Sequence, residues 1–95
     1  LSEADQKVNR DAKRFAKLLI SEIEMYNKAK VADGRKNQDL YKRLKTDIER
    51  SRQTYEKRFG KTVAMDYDYL HDELVKTLAA GDPSLLGPDY SGPSK

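Results

Sequence analysis

Apolar residues recur at helical spacing in three stretches of the chain, and no alternating β pattern competes with them. In the first, Val8, Ala12, Phe15, Leu19, Ile23 and Tyr26 follow steps of three and four, with Leu18, Ile20 and Met25 broadening the stripe. This is one face of an amphipathic helix. Ser2 followed by Asp5 makes a variant capping box, and Asp33-Gly34 supplies a left-handed stop, which predicts a helix over 3–32. At that length it would run about 45 Å. In the second stretch Leu40, Leu44, Ile48, Tyr55 and Phe59 form a thinner stripe between a candidate Asn37 cap and Gly60, predicting a helix over 38–59. In the third, Val63, Tyr67, Leu70, Leu74 and Leu78 predict a helix over 63–80, starting after Thr62 and stopping at Gly81. The connections are short, so the expected architecture is all-α: a three-helix antiparallel bundle over residues 1–81, with a long first helix. Residues 82–95 hold all three prolines and two of the five glycines and are expected to form an extended tail. Its Leu85, Leu86 and Tyr90 are anchors for docking on the helices or on a partner; plain disorder is the other reading left open.

Composition narrows the class. With 95 residues, 37% hydrophobic and 37% charged, the chain suffices for one small domain. Its longest apolar run, Leu18-Leu19-Ile20, is far short of the roughly 20 residues of a membrane span. There is no cysteine, hence no disulfide scaffold and no thiolate metal site, and a cytoplasmic location is the default expectation. The chain opens at Leu1, which suggests a segment of something longer. The net charge of +3 is too small to imply a nucleic-acid or membrane partner alone, but it is unevenly spread. Residues 1–61 carry an excess of bases and residues 62–81 an excess of acids, which favours packing the third stretch against the first two or against a basic partner surface.

Candidate chemistry is sparse. His71, the single histidine, lies in DYDYLHDE, and Asp68 three residues earlier could join it on a helix face as a metal pair. Acids near a helix N-terminus also follow from its dipole, and no metal is assigned. No Gly-x-Ser-x-Gly elbow, cysteine nucleophile or glycine-rich phosphate loop occurs, so a non-enzymatic role is expected, with no cofactor and no small-molecule substrate. Lys36, Arg43, Arg50 and Lys57 recur every seven residues and could lie along a phosphate backbone, which makes nucleic-acid binding the alternative function.

Six tyrosines against two phenylalanines suit half-buried seams. Phe15, Leu19, Ile23, Tyr26, Tyr55 and Tyr67, with Leu85, Leu86 and Tyr90 of the tail, are therefore the residues expected in the fold core or an assembly seam. The excess length of the first helix and its wide apolar face argue for self-association or docking on a larger protein. The run Arg10–Val31, with its SEIEMYN piece (Ser21–Asn27), and DYLHDEL (Asp68–Leu74) resemble the C-terminal helical region of uncharacterised bacterial proteins of acidobacterial and deltaproteobacterial type, some of which carry an N-terminal zinc-ribbon. The likeness covers roughly residues 10–87 and implies an appended module with no assigned activity. The zinc-ribbon cysteines do not occur here, so nothing of metal binding follows from it. The sequence thus predicts a helical assembly or protein-interaction module.

Overall fold

The computed structural model describes residues 1–93, so the last two residues of the expected tail, Ser94 and Lys95, lie outside the described residues. Within them every regular element is helical. The first helix, α1 (Glu3–Tyr26), begins where Ser2 accepts the Asp5 backbone N–H at 3.1 Å. Its 24 residues, about 36 Å by helical rise, account for most of the 43 Å long axis of the molecule.

The predicted single helix over 3–32 is two. At Asn27 the backbone leaves the helical region (φ −134°, ψ 39°), and the Asn27 side chain donates to the Ile23 carbonyl at 2.9 Å. An asparagine amide that bonds its own backbone competes with the helix ladder. The chain then re-enters a helix, α2 (Lys28–Asn37), which runs through Asp33-Gly34 instead of stopping there. Gly34 is helical and buried; a Cβ on it would stand 2.6 Å from Leu40 Cδ2. The glycine is used for close packing, and the left-handed stop falls on Gln38 (φ 55°), whose N–H returns to the Gly34 carbonyl.

The third helix, α3 (Leu40–Phe59), starts two residues later than predicted and bends at Leu44. After Gly60 the predicted helix over 63–80 is broken as well. Val63–Asp66 form a 3₁₀ turn, Tyr67 is extended, and α4 (Tyr69–Glu73) starts anew at Asp68 and continues into a π-helical turn, Leu74–Leu78. The left-handed pair Ala80 and Gly81 ends it.

The core runs along the inner side of α1 through Ala12, Ala16, Ile20 and Ile23, all buried. Against it pack α3, α4, the Val63–Asp66 turn and the π-helical turn, while α2 packs on α3. Tyr55, Leu40, Leu44, Leu70, Leu74 and Leu78 fill the interior. The tail joins this core. Pro83–Leu86 form a 3₁₀ turn packed on α2 and α3, and Leu86 is fully buried. At Gly87 (φ 89°) a Cβ would fall 2.6 Å from the Gln38 carbonyl oxygen, so the tail presses directly on the α2–α3 connection. No helix among the described residues is long and apolar enough to cross a membrane.

Candidate interaction surface

The acidic segment around the single histidine forms a hub between α3, α4 and the tail. From α3, Arg52 forks its guanidinium onto Asp68: Nη1 donates to Oδ1 at 2.8 Å and Nη2 to Oδ2 at 2.9 Å. Asp68 Oδ1 also accepts the His71 backbone N–H at 3.0 Å, which caps α4. The His71 ring stacks on the Tyr90 ring with planes 3° apart, and His71 Nδ1 shares a 2.6 Å hydrogen bond with the Tyr90 hydroxyl. Tyr41 of α3 then packs against Tyr90, its hydroxyl donating to Glu49 at 2.8 Å.

Charge in this hub follows its burial. Burial pulls the Arg52 guanidinium down, but the hydrogen bonds and charge of Asp68 outweigh it and leave the group above its ordinary value. Burial, reinforced by the Asp68 charge, pushes the phenols of Tyr55 and Tyr90 up to about 12. The buried Tyr55 hydroxyl has no hydrogen-bond partner among the described residues. The Asp68–His71 pair is thus drawn into a cap and an ion pair. Among the described residues no group of three or more histidine and carboxylate side chains is gathered as metal ligands would be.

The four cations spaced by seven do not share one helix. Lys36 lies on α2, across the Gln38 turn from the other three on α3. Arg43 donates to Asp39, just before α3, at 2.6 Å, and Arg50 lies 3.7 Å from Asp47 on α3, so two of the four already face nearby carboxylates. Lys36 and Lys57 are exposed.

The residues expected in core or seam separate clearly. Ile23, Tyr55 and Leu86 are in the interior of the chain. Phe15, Leu19, Leu85 and Tyr90 pack on it half-buried. Phe15 meets Phe59 at 5.9 Å between centroids, and the Arg58 guanidinium covers both rings at 4.7 and 5.2 Å. Tyr26 and Tyr67 are exposed; the Tyr67 phenol is raised by its hydrogen bond to Asp72.

On the outer face of α1, Leu18 and Met25 are each 54% exposed and Tyr26 is 76% exposed. Leu18 and Met25 are seven residues apart, two helical turns on one line. They point away from the side that buries Ala16, Ile20 and Ile23. A shallow cleft lined by Asp11, Arg14, Phe15, Leu18 and Arg58 borders this line on the α3 side. A second, lined by Leu19, Glu22, Tyr26, Asp47 and Arg50 among others, continues it toward the end of α1.

The sequence pattern sets Leu18 and Met25 within a broadened core stripe; which edge of a wide stripe turns outward is set by the packing of the other helices. Arg52 and Arg35 carry no comparable signal in the sequence. Arg35 donates to the Leu78 and Thr77 carbonyls at 2.8 and 3.0 Å and to Glu24 at 2.9 Å, tying α2 to the ends of α1 and the π-helical turn. Both arginines lie among many other bases in the sequence, and only their distant partners distinguish them. Compared with family models, curated proteins and solved structures, the chain matches none.

Proposed function

We propose that the chain is a non-catalytic helical assembly module, a subunit or appended segment of a larger complex, which makes its protein contact through the outer face of α1. The observation that carries this reading is the concentration of exposed large apolar side chains there: Leu18, Met25 and Tyr26 account for three of the five on the molecule's described surface. Apolar groups grouped on one helix face, rimmed by charges, mark a contact surface more often than isolated ones do. The bundle architecture read from the sequence, helices in antiparallel succession, suits such a module because it holds α1 rigid and leaves one long side free. The alternative, nucleic-acid binding through Lys36, Arg43, Arg50 and Lys57, is the weaker reading, since two of those four charges are offset by Asp39 and Asp47.

Sedimentation from about 1 to 200 µM tests the proposal. A mass above that of one chain, or a defined complex with a protein partner that Leu18→Asp abolishes, is expected. A strict monomer that engages no partner overturns it.

A further inference from the structure

The proposed contact face has a charge order that selects its occupant. Along the outer side of α1, Arg14 lies one turn before Leu18 and Glu22 one turn after it. Both are exposed, and neither makes an ion pair within 4 Å among the described residues. The other acid on this face, Asp11, is held by Lys7 at 2.8 Å, which keeps its carboxyl below the usual range. An apolar residue flanked by one unpaired base and one unpaired acid at equal spacing is complementary to itself when reversed.

Resting on the assembly reading above, we infer that the occupant of this face is a second copy of the chain, docked antiparallel along α1 about a two-fold axis at Leu18, with Arg14 of each protomer facing Glu22 of the other. The axis sets Leu18 against its equivalent and makes both ion pairs at once, as an isologous contact must. A parallel arrangement would instead set Arg14 on Arg14 and Glu22 on Glu22, a like-charge opposition that disfavours it.

The register has a second consequence. Met25, seven residues beyond Leu18, comes to the height of Asp11 on the other protomer, seven residues before it. There the cleft lined by Asp11, Arg14, Phe15, Leu18 and Arg58 opens beside the apolar line. A flexible thioether is well suited to fill a shallow cleft with an aromatic wall, and Phe15 supplies that wall. One face of one helix is a small contact by the standard of stable dimers, so dimerisation in the micromolar range is expected.

Charge reversal tests the register. Dissociation constants from sedimentation equilibrium are compared for the native chain, Arg14→Glu, Glu22→Arg, the double variant and Leu18→Asp, with circular dichroism verifying that helix content is kept. Each single reversal is expected to weaken the dimer about tenfold or more, and the double reversal to restore it to within about threefold. Leu18→Asp is expected to leave a folded monomer. If the native chain dimerises but the single reversals have no effect, or the double fails to restore affinity, this register is overturned while the assembly reading stands. If the native chain is monomeric throughout that range, the self-docking proposal falls, and the assembly reading then rests on a different protein partner alone.

Discussion

Asp68 shows how one side chain decides where a helix begins. Its backbone lies within an apolar pattern that would carry a helix from Val63 onward, yet it sits at φ −90°, ψ 83° because its carboxylate serves several groups at once. Among them are the His71 N–H, which needs an acceptor at the start of α4, and Arg52, sixteen residues earlier on α3. The Asp68 side chain is only 4% exposed and that of Arg52 21%, so the pair is largely desolvated. Removing the arginine takes a two-pronged contact away from a largely desolvated carboxylate, which costs more than breaking a surface ion pair. Arg52→Ala is therefore expected to lower stability by about 2 to 4 kcal/mol, read from urea unfolding. Arg52→Lys should recover less than half of that, since an ammonium cannot reproduce the two-pronged contact. Equal stability of the alanine variant and the native chain would show that the ion pair contributes nothing.

At the scale of elements, the helical class was legible because i, i+3 and i+4 spacing states directly which side of a helix is buried. The ends of the elements were less so. Ser2 capped α1 as its position suggested, because a cap is a local bond between neighbours. The breaks at Asn27 and at Tyr67–Asp68 were not visible: the first depends on an asparagine choosing its own backbone, the second on a distant arginine. Gly34 is the clearest case. A glycine after an aspartate reads as a left-handed stop, whereas here it is a contact point where α2 passes close to Leu40. The two readings make opposite predictions for Gly34→Ala. In an exposed helix the change would stabilise by about 1 kcal/mol. Here the new methyl would lie 2.6 Å from Leu40 Cδ2 and 3.0 Å from Leu40 Cα, so α2 must move off α3. A net loss of about 1 to 3 kcal/mol in thermal or urea unfolding is expected; a gain would mean that the α2–α3 contact yields freely. The outer face of α1 was hidden for a related reason. Leu18 and Leu19 are adjacent apolar residues in the sequence, and only the side taken by α3 and α4 makes one a packing residue and the other a surface one.

For the whole molecule, the Pro- and Gly-rich tail is structural, because a small helical core leaves its ends open and needs a cover. Leu86 completes the interior beside the α2–α3 connection, and Tyr90 closes the hub by stacking on His71 and packing against Tyr41. The prolines and glycines that end the helix also let the backbone turn back: Pro83 opens the 3₁₀ turn, and Gly87 adopts the left-handed conformation that brings the chain against Gln38. The segment is thus bound by burial at Leu86 and by ring contacts at Tyr90, with few regular hydrogen bonds between them. Losing one buried leucine from a core costs about 3 to 5 kcal/mol, a large part of the stability of a domain this size. A chain ended after Asp82 is accordingly expected to melt roughly 15 °C or more below the native chain, at about 4 to 8 °C per kcal/mol. A chain ended after Ser91 keeps Leu86 and Tyr90 and should melt within about 3 °C of it. Calorimetry of the two truncations separates the anchors from the rest of the tail: similar melting of the Asp82 truncation and the native chain would show that the helices hold their core without this cover.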